Sequence, residues 1–411
     1  MKRLLTSLCL LLALSLAAPA LADTTLMVAT DLHYIAPTYF EGSDLLRYSA
    51  EIGDGKMPHE SAAWLSGLVA EAILVKPDAL ILAGDQTYNG EVLSHRAVSD
   101  AMAEVEAAGI PVLVIPGNHD VNNDNAFQYL ADGYEAVHSL TPERYAKYYE
   151  AYGWAHAFDL DPASGSYAVA LRDGLWVILL DASIFEPMVQ TYGFIEEETV
   201  LWLTALLEKA QAEDVQVLTV THQSLLPHSE RNNAGYMVVN WRQITALLAQ
   251  YGVRLNLSGH LHIQHIAERD GFYDVSLSSL SAFPHHYALV TIEEGGAIDY
   301  RTQDLRAEVL PEGLRERSEA FFQQVNVDKI TRQVQNTAAS EEEKTQMIGF
   351  AARLNRLYYA GEVAQYADEA RQDPAYALWE QHSDEEGWLG YLQSMLGPDI
   401  RDMTRLRIEA E

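Results

Sequence analysis

The chain has 411 residues, is 48% hydrophobic and carries a formal net charge of −32 at pH 7 with histidine neutral. This length predicts a large domain with an appendage, or two domains, and the apolar content argues against a disordered chain. A field this negative repels polyanions, and the sequence has no Lys/Arg-rich stretch with interleaved aromatic residues, so long nucleic acids are disfavoured as partners.

The N-terminal segment has the pattern of a secretory signal peptide. Lys2 and Arg3 precede an apolar run at 4–16, and Ala-Leu-Ala at 20–22 supplies the small residues that a signal peptidase needs. The run is shorter than the roughly 18 residues that a membrane span requires. We therefore predict an exported protein (extracellular, cell-surface or periplasmic) with a signal at 1–22 and no transmembrane segment after cleavage. Because the single cysteine, Cys9, lies in the signal, a metal site in the mature chain would have to use His, Asp, Asn or Glu.

Five strand-like apolar runs end in polar side chains that can bind metals. These runs lie at 25–34, 79–86, 112–121, 215–223 and 253–262. The side chains at their ends are Asp31, His33, Asp85, Asn118, His119, Asp120, His222, His260 and His262. Helical patterns at 62–76, 94–108, 200–213 and 241–251 separate the strands, and this alternation predicts an α/β domain. Since sites in open α/β sheets form outside the carboxyl ends of strands, we expect the polar groups to converge at one edge.

Each motif alone has a structural alternative. An aspartate after a strand often caps a turn or helix, which fits Asp85 and Asp120 taken singly. Five such clusters in succession instead indicate a metal site. One cation is predicted at Asp31, His33, Asp85 and His262, and a second at Asp85, Asn118, His222 and His260, so that Asp85 bridges both. Imidazole and carboxylate ligands without thiolate suit Mn, Fe, Zn, Co or Ni rather than Ca or Mg. We predict two divalent or trivalent transition-metal ions per chain, with Mn, Fe or Zn favoured.

The ordered motifs resemble those of a known family. The motifs are Asp31-x-His33, Gly84-Asp85, Gly117-Asn118-His119-Asp120, His222 and Gly259-His260-x-His262. Over about residues 25–300 they are similar to the calcineurin-like metallophosphoesterases. The longer stretches 84–91, 116–123 and 257–266 resemble bacterial exported phosphodiesterases assigned to cyclic nucleotides. The resemblance implies an αββα sandwich of two mixed β-sheets flanked by helices, with a dimetal site at one edge. Gln223 departs from the family pattern, because many members place a second histidine there.

The last hundred residues have a helical pattern. Pro311 and Gly313 break the chain after a final strand-like run at 287–294, and no strand-period segment is evident beyond it. Apolar residues then recur every three to four positions, and two capping boxes are predicted, at Ser340 with Glu343 and at Ser383 with Glu386. The predicted domains are 23–305, the metallophosphoesterase domain, and 306–411, an all-helical domain. A structural role for the helical domain is favoured over substrate selection.

Two divalent cations in such a site bind a bridging water, lower its pKa and orient the resulting hydroxide for in-line attack on phosphorus. His119 is adjacent to a ligand but outside both shells, so we assign it to the leaving-group side, as proton donor or as a hydrogen-bond donor to the phosphoryl group. Asp120 is predicted to hold its other ring nitrogen and to favour the charged imidazole. Weaker candidates for substrate or outer-shell contacts are His95, His228, His285, His286, Asn89, Tyr34 and Phe283.

Three functions fit this reading. A phosphodiesterase acting on small substrates such as cyclic nucleotides is favoured. The alternatives are a phosphomonoesterase or nucleotidase acting on exported small phosphate esters, and a metal-binding module without catalysis. The sequence does not distinguish monoesters from diesters, and it carries no information on the oligomeric state.

Overall fold

A computed structural model describes residues 23–51, 55–229, 235–384, 386–397 and 400–410. The predicted signal peptide at 1–22 lies outside the described residues. Within them, no helix combines the length and the apolar character needed to cross a membrane.

The strands follow the predicted apolar runs but end before the polar residues. They are β1 (Thr24–Ala29), β2 (Ala79–Ala83), β3 (Val112–Ile115), β4 (Phe127–Leu130), β5 (Gly133–Ala136), β6 (Asp159–Leu160), β7 (Tyr167–Arg172), β8 (Leu175–Leu180), β9 (Gln216–Thr221), β10 (Leu255–Ser258), β11 (His265–Arg269), β12 (Phe272–Ser276), β13 (His286–Ile292), β14 (Ile298–Asp304) and β15 (Arg405–Ile408). Several central strands, such as β2 and β8, are buried along their whole length, which explains their continuous apolar sequences.

Two mixed sheets and a small hairpin contain these strands. The first sheet has the order β15-β14-β13-β1-β2-β3, the second has the order β11-β12-β10-β9-β8-β7-β6, and β4 pairs with β5. β1, β2 and β3 are mutually parallel, and so are β8, β9, β10 and β12. The carboxyl ends of the parallel strands in each sheet therefore lie together.

The helices are α1 (Leu45–Glu51), α2 (Ser61–Val75), α3 (Val92–Ala107), α4 (Pro142–Tyr149), α5 (Glu197–Ala212), α6 (Trp241–Gln250), α7 (Leu314–Val334), α8 (Glu341–Ala360), α9 (Ala367–Gln372), α10 (Pro374–His382) and α11 (Trp388–Met395). Short 3₁₀ helices cover Pro37–Tyr39, Pro58–Glu60, Trp154–His156, Ala307–Val309 and Val363–Gln365.

The buried side chains divide into layers. One apolar cluster lies between the two sheets and joins residues such as Val28 and Val177. A second cluster packs α2, α3 and α4 on the outer face of the first sheet, and a third packs α5 and α6 on the outer face of the second. A fourth belongs mainly to α7 to α11, which we call the C-terminal helical unit. This layering confirms the predicted αββα sandwich with a C-terminal helical region.

The C-terminal region departs from prediction in two details. Its last element, β15, is a strand that pairs antiparallel with β14, so the region is not all-helical and the chain returns to the first sheet. The capping box at Ser340 and Glu343 is present at the start of α8. The box at Ser383 and Glu386 is wrong, because α11 begins after Gly387 without a side-chain cap and Ser383 ends α10.

Candidate dimetal site

The predicted ligands lie in the loops that follow β1, β2, β3, β9 and β10. These loops are joined by backbone hydrogen bonds, with the Asp31 amide donating to Gly84 O at 3.1 Å and the Gly259 amide donating to His222 O at 3.0 Å. Because the two sheets are stacked, ligands from both reach one edge of the sandwich.

The first cluster joins Asp31, His33 and His262, whose ligand atoms lie close enough to hold one ion. His262 Nε2 is 3.1 Å from both His33 Nε2 and Asp31 Oδ1. The other carboxylate oxygen of Asp31 accepts from the His260 amide at 2.9 Å, which orients the Oδ1 atom toward the histidines.

The second cluster joins Asp85, His222 and His260. His222 donates through Nδ1 to Ala83 O at 2.8 Å, so its Nε2 faces the cluster and lies 3.3 Å from Asp85 Oδ2. Within the described chain, His222 Nε2, His260 Nε2 and Asn118 Oδ1 are buried without a hydrogen-bond partner. Buried acceptors normally have a partner, so these three atoms fit a bound cation, and Asn118 remains the predicted fourth ligand.

Asp85 lies between the clusters. Its Oδ1 accepts from the His119 amide at 2.8 Å, while Oδ2 lies 3.7 Å from His33 Nε2 in the first cluster and 3.3 Å from His222 Nε2 in the second. One carboxylate oxygen is thus held by the backbone and the other is shared, as the predicted bridging role requires.

Two motif glycines leave space for these ligands. A Cβ on Gly84 would lie 2.3 Å from His222 Nδ1, and one on Gly117 would lie 2.2 Å from Asp85 Oδ1. Gly84 also has φ +94°, a conformation that other residues rarely adopt. A larger residue at either position would displace a ligand.

Comparison with known proteins agrees with this arrangement. Residues 24–264 match the family model of the calcineurin-like phosphoesterases. The chain belongs to this family. Residues 314–402 match a second model, the C-terminal domain of cyclic nucleotide phosphodiesterase.

Two relatives illustrate how far the similarity extends. A stretch of 60 residues is 35% identical to a protein of Ruthia magnifica subsp. Calyptogena magnifica named "Probable cyclic nucleotide phosphodiesterase", and covers 15% of this chain and 24% of that protein. A dimetal phosphatase from Danio rerio aligns with a TM-score of 0.50 and 16% identity, over 69% of this chain and 96% of that one. At this identity the structural likeness shows the fold alone.

The chain is therefore a metal-dependent phosphoesterase, and both clusters offer ligands suited to metal ions. The pKa values of the two aspartates also suit cation binding. Burial would raise the pKa of Asp31, but the neighbouring His262 and His33 hold it well below its ordinary range. Burial would likewise raise the pKa of Asp85, and its histidine neighbours, His222 foremost, lower it instead. Both carboxylates are thus ionised at neutral pH.

The histidines divide into neutral and charged groups. Burial and the charge of Lys56 lower the pKa of His33 to about 3, and burial and the charge of His222 lower that of His260 to about 3. Burial alone would lower the pKa of His222, but Asp85 raises it to about 10. His33 and His260 are therefore ready to bind a cation, whereas His222 must first lose a proton.

His119 lies beside both clusters, with its ring centroid 4.7 Å from that of His33. Its Nδ1 faces two acceptors, Tyr88 O at 2.7 Å and Asn89 Oδ1 at 2.9 Å, which place the proton on Nδ1 and leave Nε2 for the substrate. Burial lowers the pKa of His119, and the nearby Asp85 opposes that effect.

The prediction that Asp120 orients His119 is wrong in its geometry, because no hydrogen bond joins the two in the described chain. The Asp120 carboxylate accepts from the Gln86, Thr87 and Gly117 amides and from the Thr87 hydroxyl. Burial and the charge of Asp85 raise its pKa to about 7. Asp120 therefore holds the β2 and β3 loops together, and Asn89, a weak candidate in the sequence, orients His119.

Among the described residues, none of the other weak candidates belongs to a group of candidate ligands, and each makes structural contacts or is buried. His95 contacts Tyr149 and Asp120 O, His228 contacts His265, His285 stacks on Trp64, and His286 pairs with Asp304. Tyr34 and Phe283 are buried, and so is Gln223, which contacts Ser183.

Two residues near the site were not predicted from the sequence. The Lys56 ammonium lies 6.0 Å from the centre of the Tyr88 ring, and its charge acts on both His33 and His119. Tyr236 is 43% exposed, and its ring centroid is 5.6 Å from that of His260. Neither follows a predicted strand, so only the folded chain shows that they border the clusters.

Proposed function

We propose that the protein is a dimetal phosphodiesterase for small substrates, with cyclic nucleotides as the favoured class. The observation that carries this proposal is the match of residues 314–402 to the C-terminal domain of cyclic nucleotide phosphodiesterase, in a chain whose first domain is a phosphoesterase. The name of the Ruthia magnifica relative supports the same class.

The two clusters would hold the cations. Asp31, His33 and His262 would bind one ion, Asn118, His222 and His260 the other, and Asp85 would contact both. Mixed nitrogen and oxygen ligands favour Mn, Fe or Zn. When bound, such ions supply Lewis acidity toward the phosphoryl oxygens and lower the pKa of water at the site.

His119 would act on the leaving group. An alkoxide released from a phosphodiester needs a proton, and a positioned histidine can supply it. The acceptors at Nδ1, Tyr88 O and Asn89 Oδ1, fix the ring so that Nε2 is the atom left for the substrate, and donation to the leaving group requires that Nε2 also carries a proton. Burial, which lowers the pKa of His119, works against that charged form, and Asp85 and Tyr88 O work for it. Asn89 would therefore orient the His119 ring, and His119 would act on the leaving group, without a contribution from Asp120.

Tyr236 offers a surface for a nucleobase. The chain is strongly negative, so a nucleotide gains little attraction from the protein as a whole, and neutral stacking on an exposed ring is insensitive to that field. Stacking of this kind contributes about 1–3 kcal/mol per base. We expect Tyr236→Ala to raise KM for cyclic nucleotides and to leave KM for a non-aromatic glycerophosphodiester unchanged. An equal effect on both substrates would contradict the stacking role.

The central experiment compares substrates on metal-loaded protein. A chromogenic phosphodiester, a chromogenic monoester, and 2′,3′- and 3′,5′-cyclic nucleotides are assayed in parallel, with chelated protein as the blank. We expect the highest kcat/KM on a cyclic nucleotide. Activity confined to the monoester would overturn the proposal.

A phosphomonoesterase is the second candidate, and Lys56 is the observation that favours it. A cation beside His119 stabilises a dianionic monoester more than a monoanionic diester. If this candidate is correct, Lys56→Gln raises KM for the monoester more than KM for the diester.

We also propose that the protein acts outside the cytoplasm, on the basis of residues 1–22. Sequencing the N-terminus of the protein recovered from an exported fraction tests this, and Asp23 is the expected first residue.

A further inference from the structure

The loop that carries His260 and His262 contacts two different parts of the molecule. His260 belongs to one metal cluster and His262 to the other. The residues between and after them face the opposite way. Ile263 is 6% exposed and belongs to the apolar cluster of the C-terminal helical unit, and Leu261 packs against the same cluster. One short loop therefore connects both metal clusters to the helical unit.

The backbone of this loop is strained at both histidines. His260 has φ +69° and His262 has φ +58°, in the left-handed region that non-glycine residues avoid. Such conformations persist only where the surrounding structure holds them. Histidine adopts this conformation more readily than most residues, but two such positions in one short loop still require contacts with the rest of the protein, among them the bond from the His260 amide to Asp31.

Gln264 makes such contacts with the helical unit and with the first sheet: Tyr359 lies in α8, whereas Met403 lies just before β15 and Tyr300 lies in β14. The amide of Gln264 donates to Tyr359 O at 3.1 Å, and its side chain donates to Met403 O at 2.7 Å. Tyr300 donates to the side-chain oxygen of Gln264 at 3.0 Å. The junction is tight, because a Cβ on Gly361, at the end of α8, would lie 2.8 Å from Gln264 Cγ and 3.0 Å from its carbonyl oxygen.

We propose that the C-terminal helical unit positions both metal clusters, and that it acts through Ile263 and Gln264. Ile263 has no ligand atom, and both polar side-chain atoms of Gln264 bond to Met403 O and Tyr300, so both are positioning residues. Loss of either anchor lets the His260 and His262 backbone relax and moves one ligand out of each cluster at the same time. This role holds for a phosphodiesterase and for a phosphomonoesterase alike, because it concerns metal binding and not the substrate.

The first test compares two isoleucines of one apolar cluster in the full chain. Ile263 directly follows His262 in the chain, whereas Ile330 is fully buried in α7, and both belong to the core of the helical unit. Binding of Mn²⁺ or Zn²⁺ is measured by competition with a chelator, and the stability of the metal-free protein by urea unfolding. We expect Ile263→Ala to weaken binding about 10-fold at both sites. Ile330→Ala should lower the urea midpoint by a similar amount while changing metal affinity less than threefold.

The milder pair Ile263→Val and Ile330→Val is used if an alanine variant does not fold. Equal metal affinity in the two members of a pair, at matched stability, would overturn the proposal. So would loss of affinity in the Ile330 variants alone.

The second test pushes on the junction from the helical side. Gly361→Ala places a methyl group against Gln264. Gly313→Ala is the matched control, because Gly313 also flanks a helix with positive φ (+70°, against +75° at Gly361) but has only the Arg317 guanidinium nearby, at 3.5 Å. We expect weaker metal binding only in Gly361→Ala. Unchanged metal affinity in a folded Gly361→Ala protein would contradict positioning through Gln264.

Discussion

Gly117→Ala should disable the metal site without adding any charge or polar group. The new Cβ would lie 2.2 Å from Asp85 Oδ1, 2.4 Å from the Asp85 amide and 2.7 Å from His222 Nε2. Ordinary contact begins at 3.4 Å, so the shared carboxylate must move by about 1.2 Å. Ligand distances in metal sites tolerate only about 0.2 Å. We therefore expect metal affinity to fall at least 10- to 100-fold, or about 1.4–2.7 kcal/mol.

Gly133→Ala is the matched control, because Gly133 also has an ordinary φ and no atom within 4 Å of the new Cβ. Metal affinity is measured by titration calorimetry or chelator competition, and kcat/KM on a chromogenic phosphodiester at saturating metal. The control should retain both. Metal affinity within threefold of the parent in Gly117→Ala would show that the loop absorbs the methyl group and that close approach at Gly117 does not hold Asp85 in place.

Three further outcomes follow from the site and the helical unit. His119→Ala should keep two metal ions per chain, measured by elemental analysis, while kcat falls about 10²- to 10⁴-fold. Loss of an ion would instead place His119 among the ligands, because His119 lies close enough to His33 and Asp85 to share an ion with them. Asp85 raises the pKa of His222 to about 10, so metal binding near neutral pH should release the proton of His222, and metal affinity should rise with pH up to that value. Calorimetry in two buffers of different ionisation enthalpy measures the number of protons released. Metal binding without proton release would refute the raised pKa. Ser340→Ala removes the hydrogen bond from the Glu343 amide that caps α8, and should lower the free energy of unfolding by about 1 kcal/mol in urea titrations. An unchanged urea midpoint would mean that this end of α8 frays in the folded protein.

The metal ligands could be predicted because their positions follow from strand geometry. A run of apolar residues ends where the chain leaves the sheet, and the ends of parallel strands meet at one edge. Asp120 shows where this reasoning stops. It directly follows His119, but its carboxylate turns inward to three backbone amides, so sequence adjacency gave the wrong partner. Asn89, 30 residues earlier, binds His119 Nδ1 instead. In the sequence, Asn89 stands before Gly90, a pattern that is typical of a turn, so its contact with His119 was not predicted.

Long-range contacts account for the other departures. β15 has only four residues, and its partner β14 lies about a hundred residues earlier, so no local pattern identifies the pairing. Lys56 and Tyr236 lie outside the predicted strands and approach the clusters only in the folded chain. Ser383 and Glu386 have the spacing of a capping box, but Ser383 ends the preceding helix. Spacing alone cannot separate the end of one helix from the start of the next.

The strain at the site explains why the motifs need the whole fold. Among the described residues, ten other than glycine have positive φ, and five of them are Asp31, His33, Asp85, His260 and His262. Each such conformation costs about 1–3 kcal/mol, so five together are comparable with the net stability of a domain, about 5–15 kcal/mol. No short motif can offset that cost from its own contacts. The sheets hold the loops of Asp31 and Asp85, and the helical unit holds the loop of His260 and His262, so metal affinity depends on packing far from the ions.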